Sequence, residues 1–149
     1  MFENSTRRKP SLRQSGSRLL QWLGTAFVEF FRNLPLIAET EKYGAAAYDY
    51  LASRKEVDPK RIGVMAISLG GYYAPRAASL EPRYAACIAW GAQWNYYDTW
   101  KKRIDASFKT SLSVPGHHIE WIMGAKSVDE ALKKLEPFVL DGVMQKMRC

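Results

Sequence analysis

The apolar positions of this chain change period four times. From Leu19 to Phe31 they recur at helical spacing: Leu19, Trp22, Leu23, Ala26, Phe27, Phe30 and Phe31 share one face. Arg18, Gln21, Thr25, Glu29 and Arg32 line the other. This spacing predicts an amphipathic helix over 19–33. The stretch before it, Met1 to Ser17, is polar, basic and serine-rich. It reads as a disordered tail reaching residue 18. Further on, Ile62, Val64 and Ile67 form a short apolar run without polar alternation, as in a strand buried on both faces. A helix-compatible segment, Gly70 to Leu80, follows. A second apolar run, Tyr84 to Trp90, comes next at βαβ spacing, with Cys87 predicted to be buried inside it. Beyond Trp100 the pattern turns helical again. Ser127-Val128-Asp129-Glu130 is a capping box opening a helix through Leu135, with Ala131, Leu132 and Leu135 as its apolar stripe. The fold class is α/β.

One junction carries chemistry. In Arg61-Ile62-Gly63-Val64-Met65-Ala66-Ile67-Ser68-Leu69-Gly70-Gly71 a strand breaks into a helix at a serine. That is the layout of a nucleophile elbow, where a sharp turn lifts a serine oxygen clear of the backbone. The strained turn needs small residues two before and two after the serine. Ala66 and Gly70 meet this, with alanine in place of the first glycine of G-x-S-x-G. Gly71 leaves room for close helix–sheet packing. The expected roles are Ser68 as nucleophile and the Leu69 backbone N–H, at a helix N-terminus, as oxyanion donor.

From about residue 35 onward the chain resembles the centre of an α/β-hydrolase. Glu39 to Lys55 looks like the helix before the nucleophile strand, and Val57-Asp58-Pro59-Lys60-Arg61-Ile62-Gly63 like the loop that feeds it. The run from Ser68 through Gly70-Gly71-Tyr72-Tyr73-Ala74-Pro75-Arg76 to Ala78 resembles a narrower branch. That branch holds the 2,6-dihydroxypseudooxynicotine hydrolases and the fermentation-respiration-switch esterase-like proteins. Ala85 to Gly91 looks like its next strand, and Leu140 to Cys149 like the approach to the following one. The resemblance implies a Ser–Asp–His order in which acid and histidine come from sequence beyond Cys149. It implies cap-like helices at about 95–140. Pro75 should kink the helix after the serine or shift one of its hydrogen bonds.

At 149 residues the chain is long enough for one ordinary domain. A complete α/β-hydrolase sheet takes about eight strands, and only two are convincing here. The expectation is an incomplete α/β-hydrolase fold over 34–149, with the 19–33 helix unrelated to it: a truncated gene product, a gene fragment or a degenerate copy. Its two cysteines, Cys87 and Cys149, cannot form a disulfide scaffold, which suits a cytoplasmic setting. The net charge is +7. Arg7, Arg8, Lys9, Arg13 and Arg18 fall in the first eighteen positions against Glu3 alone, so the rest of the chain is only mildly basic. No nucleic-acid motif is present, and none is expected as a partner.

Three readings compete for the first helix. It is an organelle-targeting segment, a membrane-surface helix, or unrelated sequence whose apolar face covers exposed surface of the hydrolase part. The third is preferred, with targeting as the alternative. The apolar stretch is too short to span a bilayer, and a membrane partner is not expected.

The segment after the second strand is aromatic. Trp94 and Tyr97 are candidate walls of an apolar pocket, the alternative being packing between a cap helix and the core. A triad internal to the chain would use Ser68, Asp98 and His117 or His118. Adjacent histidines point about 100° apart on a helix, so no metal and no other cofactor is expected. Two function classes remain. The first is a serine hydrolase acting on a small-molecule ester, amide or ketone, weak or inactive without its acid and histidine. The second is a non-catalytic protein that associates, with itself for example, through exposed sheet edges.

Overall fold

The computed structural model describes the backbone of residues 18–21, 35–109 and 118–149, and side chains over 35–106 and 118–149. Three parallel strands form one sheet in the order β1-β2-β3: β1 (Arg18–Gln21), β2 (Ile62–Ile67) and β3 (Ala86–Trp90). Among the described residues five helices accompany them: α1 (Glu41–Ala52), α2 (Gly70–Leu80), α3 (Tyr96–Lys109), α4 (His118–Ile122) and α5 (Val128–Leu135). Short 3-10 turns at Pro59–Arg61 and Met144–Lys146 complete the elements. The first of these turns is fixed by the Asp58 carboxylate, which accepts the Lys60 N–H at 3.0 Å.

β2 is central, as its apolar run predicts. It pairs with β1 from Arg18↔Ile62 to Gln21↔Met65, and with β3 from Gly63↔Ala86 to Ile67↔Trp90. Ile62, Val64 and Ala66 have no exposed surface, and each of the two larger side chains contributes about 2 kcal/mol by burial. α2 packs across β2 and β3, and α1 packs on α2. α2 is buried along most of its length because Ala74, Ala77 and Ala78 let backbones approach on several sides.

Two expectations need correction. Residues 18–21 do not open the amphipathic helix; they form β1, paired with β2. The open edge of β2 supplies unpaired N–H and C=O groups, and pairing them outweighs the local helical period of Leu19 and Leu20. The rest of that helix, 22–33, and the tail, 1–17, lie outside the described residues. The second correction concerns β3, which is not buried. Ile88 is 47% and Trp90 65% exposed, and Cys87 is half-buried. Among the described residues β3 is an edge strand, and Ile88 and Trp90 stand exposed on it.

The later helices pack through Trp100, Ile104, Ile119, Met123, Ala131, Leu135 and Phe138. Phe138 joins them to α2 through the Tyr72 ring, 5.4 Å between centroids. The Leu36 N–H donates to the Ile122 carbonyl at 3.1 Å, and so ties the entry segment to α4. The capping box is present in altered form. The Ser127 hydroxyl accepts the Glu130 N–H at 3.2 Å, but the Glu130 carboxylate reaches back to the Lys126 N–H, 2.9 Å away. That backbone bond, with the neighbouring Lys134 ammonium, holds the Glu130 carboxyl below its ordinary range. Ser127→Ala should lower stability by about 1 kcal/mol in urea unfolding, the usual worth of an N-cap. An unchanged midpoint would show that the Glu130 bond alone starts α5.

Charged and phenolic groups join α1 to α2. Arg76 holds Glu41 at 2.7 and 3.3 Å, and its third nitrogen lies 3.4 Å from the Tyr72 hydroxyl. That hydroxyl donates to the Ala38 carbonyl at 3.1 Å, and burial pushes its pKa up to about 12. The Tyr84 hydroxyl donates to the Gly44 carbonyl of α1 at 2.7 Å, and its pKa is likewise raised by burial.

Candidate active site

β2 ends at Ile67, and the backbone then reverses into α2 within two residues. Ser68 makes that reversal at φ 60°, the only non-glycine residue with positive φ among the described residues. A left-handed conformation costs an L-residue about 1–2 kcal/mol, so the surroundings must enforce it. Its side chain is exposed. Its N–H donates to the Trp90 carbonyl at 3.0 Å, prolonging the β2–β3 ladder by one bond. Its carbonyl accepts the Gly71 N–H at 2.8 Å, closing the turn. Ala66 and Gly70, the small flanking residues, are both buried, so the alanine methyl is accommodated without exposing the turn. Leu69 is the N-cap of α2. Its N–H lies among the helix-start amides that lack an intrahelical acceptor.

The tight packing at Gly71 is against a loop backbone. A Cβ there would sit 2.2 Å from the Gly91 carbonyl oxygen and 2.7 Å from its carbon. Gly91 itself is at φ 77°. The Gln93 N–H then donates to the Gly71 carbonyl at 3.2 Å. α2 continues through Pro75, and the shifted hydrogen bond expected from that proline is this one.

Trp94 is half exposed, and its indole N–H donates to the Asp141 carboxylate at 2.8 Å. Backbone bonds on either side hold that pairing: Tyr96 N–H to the Phe138 carbonyl at 2.9 Å, and Leu140 N–H to the Trp94 carbonyl at 3.0 Å. Tyr97 is half-buried, with the Lys101 ammonium 5.9 Å from its ring centre. Asp98 is exposed in the first turn of α3, where its N–H is capped by the Asn95 side chain at 3.0 Å. The His118 ring lies 5.1 Å from the Trp100 ring, and burial, then the nearby Arg103 charge, lowers its pKa. His117 lies outside the described residues. Ser68 and Leu69 are thus brought together, but among the described residues no hydrogen bond or ion pair joins Ser68 to Asp98 or His118. No group of three or more His, Cys, Asp or Glu gathers among them as a metal set.

Sequence reasoning passed over Gly91, Gln93 and Asp141. Pro75 was the available signal for Gln93: a proline four residues after Gly71 leaves that carbonyl in search of a donor. No comparable signal pointed to Asp141, which is distant from Trp94 in the chain.

No family model matches the chain. It is 40% identical over 72 residues to the 2,6-dihydropseudooxynicotine hydrolase of Paenarthrobacter nicotinovorans, a match covering 47% of this chain and 20% of that protein. Hydrolase acrC of Aspergillus aculeatus is 26% identical over 123 residues, covering 66% of this chain and 28% of its own. The crystal structure of the 2,6-dihydroxy-pseudo-oxynicotine hydrolase superposes with a TM-score of 0.67 at 26% identity, over 81% of this chain and 32% of that one. The chain therefore spans between about a fifth and a third of the length of these relatives. Strand order, parallel register and this match define the class: the described residues form part of an α/β-hydrolase fold. The relatives it matches within that class are named as hydrolases, among them the 2,6-dihydroxypseudooxynicotine hydrolase by both sequence and structure.

Proposed function

We propose that the protein is a serine hydrolase by descent, with Ser68 as nucleophile at a nucleophile elbow and the Leu69 N–H as one oxyanion donor. The observation that carries this reading is the exposed Ser68 at φ 60° between a central strand and a helix. The names of the relatives support hydrolysis of a small-molecule substrate, and an ester, amide or ketone carbonyl is the group a serine nucleophile would attack. In the first step the Ser68 oxygen attacks the carbonyl carbon, its proton passes to a base, and the carbonyl oxygen takes up negative charge beside the helix-start N–H groups. Trp94, held by Asp141, and Tyr97 are the proposed apolar walls for that substrate.

Among the described residues no base touches Ser68, and a serine without one is a weak nucleophile at neutral pH. Turnover by this chain is therefore proposed to be slow or absent. A fluorophosphonate probe tests both parts. Labelling should fall on Ser68, vanish in Ser68→Ala, and accelerate when imidazole is added as an external base. Brisk labelling without imidazole would show that a base is already in place. Labelling spread over other serines would remove Ser68 from its role.

A second reading, a protein that associates through its sheet, is favoured by the exposed Ile88 and Trp90 on the edge strand. β3 also lacks the charges and prolines that usually protect such edges. Light scattering after size exclusion should then give a mass above the 17.0 kDa of one chain, whereas a compact monomer would count against it.

A further inference from the structure

The geometry points to Pro75 and Gln93 as positioning residues for Ser68, acting through a carbonyl that the proline leaves free. In an α-helix the N–H of residue 75 would bond to the carbonyl of residue 71. Proline has no N–H, so within α2 the Gly71 carbonyl loses its ordinary donor. Left buried and unpaired it would be costly. Here it accepts the Gln93 N–H at 3.2 Å.

That bond is one of three contacts, two hydrogen bonds and one close backbone approach, that fasten the loop after β3 to the turn at Ser68. The Trp90 carbonyl accepts the Ser68 N–H at 3.0 Å. The Gly91 carbonyl is pressed so closely on Gly71 that a Cβ would meet it at 2.2 Å. Gln93 closes the third contact, and its side-chain oxygen accepts the Thr99 hydroxyl at 2.9 Å, anchoring the loop in turn to α3. All three contacts fall on residues 68–71. A left-handed serine persists only where its neighbours over-determine it, and these contacts supply that constraint. The clamp fixes the peptide groups on both sides of the Leu69 N–H, and so the direction in which that N–H points. The role assigned to these residues rests on the reading of Ser68 as nucleophile, but the clamp itself does not.

Pro75→Ala in the full chain separates positioning from plain structural support. The restored N–H competes for the Gly71 carbonyl and should release Gln93. Amide exchange at Gln93 should quicken by about tenfold, the equivalent of one hydrogen bond. The unfolding midpoint should hold or rise, since a helix interior gains a donor. Reactivity at the turn is read with Ser68→Cys, alone and combined with Pro75→Ala, by following iodoacetamide alkylation of the peptide carrying position 68 against pH. The introduced thiol should lose part of its helix-start stabilisation and rise in pKa by about half a unit in the double variant. Gln93→Pro, which deletes the donor and keeps Pro75, should give the same rise. Unchanged Gln93 exchange, or a thiol pKa indifferent to both variants, overturns the proposal. So does a fall in reactivity that merely tracks a fall in the unfolding midpoint. Failure of the native serine to take the fluorophosphonate would instead overturn the hydrolase reading, while exchange at Gln93 would still report the clamp.

Discussion

Gly71→Ala should destabilise the protein by about 3 kcal/mol or more, at the upper end of what forced overpacking costs. The reason is the identity of the obstacle. An added methyl would lie 2.2 Å from the Gly91 carbonyl oxygen and 3.0 Å from the Ala92 Cα, all of it backbone. A side chain can rotate away, but this loop is bonded to the turn at Trp90 and again at Gln93. The loop must shift as a unit, and the Ser68 N–H and Gly71 carbonyl lose partners as it does. Urea unfolding should show the lower midpoint, and fluorophosphonate labelling at Ser68 should drop well below that of the parent under conditions where both remain folded. If stability is kept and labelling persists, α2 and the loop after β3 can part without disturbing the serine, and the clamp has no hold on it.

The contrast between Gly71 and its neighbours shows what the sequence could and could not disclose. Ile62, Val64 and Ala66 announce a central strand because burial on both faces permits no polar residue, and the structure places them there. Gly70 and Ala66 were readable because a strained turn tolerates only small side chains around it. Gly71 was readable as a need for space, but not what would fill the space. That required knowing that β3 returns parallel to β2 and ends in a left-handed Gly91. Leu19 and Leu20 misled because a helical period is a local signal, whereas the unpaired edge of β2 lies more than forty positions away in the chain. Ile88 and Trp90 misled differently. An apolar run tells how hydrophobic a strand is, not whether another layer covers it. The links among Trp94, Asp141 and the Asn95↔Val139 bridge join segments remote in sequence, where no local pattern could pair them.

Phe138→Ala should cost about 3–5 kcal/mol, the range for deleting a buried aromatic ring. Phe138 is almost fully buried, lies 5.4 Å from the Tyr72 ring of α2 and 6.2 Å from the Tyr96 ring of α3, and is bonded through its N–H to the Leu135 carbonyl. Its side chain thus touches the helix that follows Ser68 and the helix that follows β3, while its backbone is bonded to the end of α5. If these parts fold together, the loss should appear as a single shifted transition reported equally by far-ultraviolet circular dichroism and tryptophan fluorescence. Two separated transitions would mean that the later helices are a unit of their own, resting on the sheet. The two outcomes bear on function. The Phe138 carbonyl holds the Tyr96 N–H, and Asp141, three residues on, holds Trp94, so a cooperative loss would carry the proposed pocket wall with it. The substitution leaves Gly71, Gly91 and Gln93 untouched. Reactivity at Ser68 towards a small fluorophosphonate should therefore survive where the protein remains folded, while discrimination between bulky aromatic and small aliphatic probes should weaken.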